Sequence, residues 1–126
     1  MKYLGIDYGL KKIGLAISEG ELATPLKVLH VKSKADALSQ IKEVVSKENI
    51  DQIIIGAPDS GIRSKILNLS KELNLNIPVT VVDETLSSVT AKNRMIESGM
   101  SKKKRMEEDA YSAVEILQNY LDSIKV

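Results

Sequence analysis

Apolar and polar positions along the chain follow two periods, and the switches between them divide it into strands and helices. Residues 2–7 and 12–18 are short apolar-rich runs separated by YGLK, where Gly9 permits a tight turn, so they predict a β-hairpin. A third strand, about 26–31, follows Pro25. Ser33 then caps a predicted helix in which Leu38, Ile41, Val44 and Val45 recur at helical spacing, ending near Asn49. The run QIIIG at 52–56 is apolar without interruption and stops at Gly56 and Pro58, the pattern of a parallel strand covered on both faces. With Asp59 as N-cap, Ile62, Ile66, Leu69 and Leu73 mark a second helix, and Pro78 opens the strand VTVVDE. A third helix is expected at 87–98, ending at Gly99. The last helix runs to about residue 122 and carries Met106, Ala110, Ala113, Val114, Leu117 and Leu121 on one side.

The order βββαβαβαα predicts an α/β fold with a mixed sheet and helices on both faces. No repeat, linker or low-complexity tract interrupts it, and 126 residues suit a single domain spanning 1–126. The balance of 43% apolar and 28% charged residues is that of a globular chain. Its core must be aliphatic, since Phe and Trp are absent and the aromatics are Tyr3, Tyr8, Tyr111 and Tyr120, which argues against the stacking platforms of single-strand binders. Without cysteine there are no disulfides, thiolate metal sites or cysteine nucleophiles, and a reducing compartment fits. No apolar run approaches the roughly 20 residues of a membrane span, so a cytoplasmic protein without a membrane partner is expected.

Three carboxylates stand out. Strand alternation puts Asp7 on one face with Tyr3 and Gly5, and the facing strand offers Gly14 and Ala16, so something has room to approach; equally, Asp7 could begin the turn before Gly9. Asp83 and Glu84 close VTVVDE and point to opposite sides if the strand persists. Glu84 lies where ligands gather, outside the carboxyl end of a parallel strand, and Asp83 reads as a solvated or capping group. Asp109 falls within the apolar arc of the last helix, between Ile116, Ala113 and Tyr120, and a carboxylate there needs a cation, a set of donors or a metal. Together Asp7, Glu84 and Asp109 suit hard cations, Mg²⁺ or Mn²⁺, and two such ions about 4 Å apart can activate water and stabilise a leaving oxygen at phosphorus.

The net charge is only +1, so attraction to nucleic acid must come from clusters. One lies at Lys102, Lys103, Lys104 and Arg105, although such a run is as often a solvated loop; Lys11 and Lys12 form a smaller one. GAPDSG places glycines between a strand and a helix, where backbone N–H groups could receive a phosphate. The sole histidine, His30, reads as structural or exposed.

The segments GIDYGLKKIGLAIS (5–18), IIIGAP (53–58), VDETLSSVTA (82–91) and KKKRMEEDAYSAVEILQNYL (102–121) resemble, over essentially the whole chain, the YqgF family of Holliday junction resolvase-like nucleases, relatives of RuvC. The resemblance implies an RNase H-like fold whose five-stranded sheet has its first three strands antiparallel and the fourth and fifth parallel to the first. It also implies that Asp7, Glu84 and Asp109 form a catalytic, metal-binding triad, and that the role is maturation of the 5′ end of the 16S rRNA precursor. Two departures fall where substrate would bind: Thr85 stands where the family's DE motif continues with Arg, removing a bidentate phosphate donor, and GAPDSG is shorter than the usual loop.

The expected activity is thus that of a hydrolase, a metal-dependent endonuclease of structured nucleic acid, with Lys11, Lys12 and Lys102–Arg105 contacting the backbone. Its partners would be an rRNA precursor and the ribosome, or branched DNA. A junction resolvase is the alternative and would need a symmetric homodimer, whereas an RNA-processing enzyme could be a monomer. A catalytically silent nucleic-acid-binding module is a further alternative, favoured by Thr85. An actin-like ATPase shares the hairpin start but needs two domains, which this length does not supply.

Overall fold

The hairpin forms as its pattern predicts. In the computed structural model, Tyr3–Tyr8 (β1) pairs antiparallel with Lys12–Ser18 (β2), from Tyr3 opposite Ser18 to Tyr8 opposite Ile13. The structure describes residues 1–9, 11–57, 60–73, 76–83 and 108–124, with the backbone alone at several of these positions, among them Asp83 and Asp109. A Cβ added to Gly9 would lie 2.5 Å from the Lys12 carbonyl oxygen, so the turn demands glycine for want of space.

Thr24–His30 (β3) extends the hairpin to a meander, antiparallel to β2, with the register slipping between Leu15 and Ala16. The strand begins two residues earlier than Pro25 suggests. It lies at the edge of the sheet, where one side of the backbone has no ladder partner, so a proline costs little there. Gln52–Ala57 (β4) then pairs parallel with β1, and Val79–Asp83 (β5) parallel with β4, completing the order β3-β2-β1-β4-β5. The expected mixed five-stranded sheet is therefore present.

Strand alternation sorts the core into two layers. Leu4, Ile6, Ile13, Leu15, Ile53 and Ile55 are fully buried on one face, under Lys34–Glu48 (α1) and Ser60–Leu73 (α2). Ala16 and Ile54 face the other way, under Glu108–Ser123 (α3), whose Ala113, Ile116, Leu117 and Leu121 complete that layer. Ile53, Ile54 and Ile55 thus serve both layers from three consecutive positions, which is why their run has no polar interruption. Each such side chain contributes roughly 1.5–3 kcal/mol on burial. The helix expected at 87–98, Pro58 and Asp59 lie outside the described residues.

Local signals fix the helix ends. The Ser33 hydroxyl accepts from the Asp36 N–H at 3.1 Å, while the Asp36 carboxylate reaches back to the Lys32 N–H at 2.9 Å, a variant of the capping box. That backbone donor, helped by Gln40 and the charge of Lys32, holds the Asp36 carboxyl below its ordinary pKa. At the other end Asn49 takes the left-handed conformation (φ 54°), and the Ile50 N–H closes on the Val45 carbonyl at 3.1 Å.

Candidate active site

Helix α3 lies against β1 more closely than side chains would ordinarily permit, because Gly5 has none. A Cβ there would stand 2.7 Å from Leu117 Cβ and 3.0 Å from the Ala113 carbonyl oxygen. The small residues of the hairpin leave room for an approach, as the sequence suggests; at Gly5 and Ala16 what approaches is the protein's own helix. Two residues back along β1, Tyr3 meets Tyr120, with ring centroids 6.4 Å apart. The helix therefore runs antiparallel to the strand, Tyr120 over Tyr3 and Leu117 and Ala113 over Gly5.

Continuing in the same direction, two residues of strand (about 6.6 Å) lead from Gly5 to Asp7, and one turn of helix (about 6 Å) leads from Ala113 to Asp109. The backbone thus carries both positions to the carboxyl end of β1. Asp7 lies on the α3 face, half-buried, in a row made by the pairs Gly14–Asp7, Asp7–Gly56 and Gly56–Val82. Both of its cross-strand neighbours are glycines, so no side chain flanks this carboxylate within the sheet. Gly56 in this role is visible only once β4 is placed beside β1.

Glu84 lies outside the described residues. Val82, two positions before it, packs in the α3 layer, whereas Asp83 occupies the register position opposite Ala57, on the alternation of Val79 and Val81, which pack in the other layer. Among the described residues no three carboxylate or histidine side chains converge into a metal cluster. Lys11 and Lys12 are exposed where the hairpin turns beside Asp7, and the Lys11 carbonyl accepts the Val31 N–H at 2.9 Å. Lys102, Lys103, Lys104 and Arg105 fall outside the described residues, as does Thr85. No described helix is long and apolar enough to cross a membrane.

The same architecture occurs in solved resolvases. The fowlpox virus Holliday junction resolvase superposes with a TM-score of 0.68 at 15% identity, covering 98% of this chain and 100% of that one. RuvC of T. thermophilus, in complex with a Holliday junction substrate, gives 0.61 at 16% identity over 98% and 94%. The fold is therefore that of the RuvC-like, RNase H-like resolvases.

Sequence relatives narrow this. A protein of Clostridium acetobutylicum named "Putative pre-16S rRNA nuclease" is 36% identical over 135 residues, covering 98% of this chain and all of the relative. Relatives of the same name in Clostridium botulinum (strain Hall) and Maridesulfovibrio salexigens are 38% and 33% identical, over 98% and 96% of this chain and 98% of each relative. The chain belongs to the RuvX family, whose model, described as "Holliday junction resolvase", matches residues 1–123. By family it is a nuclease, a hydrolase of phosphodiester bonds.

Proposed function

We propose that this chain is a metal-dependent endonuclease of structured nucleic acid, a cytoplasmic single-domain enzyme that processes the 5′ end of the 16S rRNA precursor during ribosome biogenesis. What supports the reading is that Asp7 stands between two glycines at the carboxyl end of β1, and that the antiparallel lay of α3 on Gly5 leads the backbone from Ala113 to position 109 toward the same end. The substrate is taken from the names of the relatives, which align over nearly the whole chain.

The donor chemistry fits the expected ions. The chain has no cysteine, and its one histidine is on edge strand β3, so ligands at this end of β1 are carboxylate oxygens, as Mg²⁺ and Mn²⁺ prefer. A pair of such ions, when bound, would supply charge to activate water and stabilise the leaving oxygen. In this reading Asp7, Glu84 and Asp109 hold the ions. The bare glycines beside Asp7 admit the scissile phosphate, and Lys11, Lys12 and the 102–105 cluster hold the flanking backbone.

Resolution of four-way DNA junctions is the second reading, favoured by the family description and by the junction bound to the RuvC neighbour. It requires two sites and hence a homodimer. The deciding experiment is cleavage of a labelled 16S precursor fragment and of a four-way DNA junction side by side, in Mg²⁺ or Mn²⁺, by wild type and Asp7→Asn. Metal-dependent cutting of the RNA, lost in the variant, is expected. Cutting of the junction alone would favour the resolvase. Binding without cutting would leave a silent module, with Thr85 as the residue to restore to Arg. Cutting that persists in Asp7→Asn would remove Asp7 from the site.

A further inference from the structure

His30 is the sole histidine, and β3 carries it to the flank of the Asp7 site. In the antiparallel pairing of β2 with β3, His30 stands directly opposite Lys12, and both side chains are exposed. Directly opposed residues bring their Cβ atoms to about 4.5–5.5 Å on one face. The face is that of the candidate site: Lys12 alternates with Gly14 and Ala16, Gly14 pairs with Asp7, and Ala16 packs in the α3 layer. With strands about 4.8 Å apart and about 3.3 Å per residue, Lys12 lies roughly 8 Å from Asp7 and His30 roughly 12 Å, measured between backbones. The second distance is the rise of three to four nucleotides in a duplex, at about 3.4 Å each.

Both residues are donors, an ammonium and an imidazole N–H, and no ion pair among the described residues engages Lys12. The strand beneath them is held: the Gln40 amide donates to the His30 carbonyl at 3.1 Å, and the next N–H, of Val31, is tied to Lys11. Two adjacent exposed donors on a fixed backbone, beside a carboxylate site, match an anionic ligand that leaves the site over β2. Lys27 supplies an internal contrast. It lies on the same strand and is also exposed, but it pairs with Leu15, whose side chain is buried in the α1–α2 layer, and so belongs to the opposite face.

Resting on the nuclease reading above, we propose that His30 is a substrate-binding residue: with Lys12 it grips the phosphate backbone of the nucleic acid a few nucleotides from the cleaved bond, so that the strand exits across edge strand β3. The test is equilibrium binding of the labelled 16S precursor fragment and the four-way DNA junction, in Ca²⁺ to hold off cleavage, over a range of NaCl concentrations. His30→Ala is expected to weaken binding of the processed substrate about threefold at 0.1 M salt, the scale of one hydrogen bond. His30→Lys should restore it and steepen the dependence of log Kd on log salt by about 0.7–0.9, one phosphate contact. Lys27→Ala should bind as wild type does, and all three should unfold at the wild-type midpoint. If His30→Ala binds like wild type, if Lys27→Ala loses as much, or if His30→Lys binds no better than His30→Ala, the inference fails and the nuclease reading stands. If wild type binds neither probe, both fall.

Discussion

The two ends of the α3 layer are built from the same strand and the same helix, yet among the described residues one is closed by large side chains and the other is lined by glycines. At the amino end of β1, Tyr3 packs on Tyr120, the Gln52 amide donates to the Tyr120 hydroxyl at 3.1 Å, and Gln118 clasps the β2–β3 loop. In that clasp its oxygen accepts the Ala23 N–H and its amide donates to the Glu21 carbonyl, each at 2.9 Å. At the carboxyl end the sheet offers Asp7 between Gly14 and Gly56. Among the described residues the difference is one of side-chain size: large polar groups seal one end with hydrogen bonds, while at the other two glycines flank a carboxylate.

Breaking the hinge point between these ends should have the largest effect. Gly5→Val forces a branched side chain into a space where even a Cβ stands 2.7 Å from Leu117, so a loss of about 3 kcal/mol in urea unfolding, or failure to fold, is expected. A variant as stable as wild type would mean that α3 does not rest on β1 as described. Sharpening the contrast at the open end, Gly14→Ala places one methyl beside Asp7. Cleavage should fall about tenfold or more, since a displacement near 1 Å can cost up to a hundredfold, with the unfolding midpoint little changed.

At the closed end, Gln118→Ala leaves the Ala23 N–H without its acceptor and should cost about 2 kcal/mol in the same unfolding assay, with kcat unaltered. Tyr120→Phe removes one hydroxyl and should cost about 1 kcal/mol. The smallest effect lies away from both ends. The Asp36 carboxyl is held low by the Lys32 N–H, so its contribution to stability is fully present above its ordinary value of 3.8 and is lost as pH falls through its lower folded value. The stability difference between wild type and Asp36→Asn should therefore shrink on acidification below about pH 4; a difference unchanged at pH 2–3 would show that the cap does not depend on the charge.

Much of this was legible in the chain because local rules were sufficient. Ser33 and Asn49 bound α1 by capping chemistry, and the three isoleucines of β4 announced burial on both faces. The edge position of β3 was not legible, since a proline ends a strand or sits within one according to which neighbours it has, and that is a property of the sheet. Asp7 and Asp109 could each be singled out, but that their backbone positions lie toward the same end depends on the antiparallel lay of α3, which the approach of Gly5 to Ala113 and Leu117 sets. The sequence marked Gly5 as small without naming what would fill the space. His30 read as structural or exposed, and it is exposed; only the pairing with Lys12 gives it a neighbour of consequence.

The meshing of α3 with β1 also decides where this chain can change length. Strand and helix advance at different rates, and they come into step over two residues of β1 and four of α3, from Gly5 to Asp7 and from Ala113 to Asp109. A single residue inserted or deleted between Asp109 and Ala113 would rotate position 109 about 100° around the helix relative to Ala113. Indels should thus be shut out of these two spans while the connecting loops drift freely. The alignment with the Clostridium acetobutylicum relative, which takes 135 positions to accommodate a chain of 126 residues, shows that drift in length has occurred.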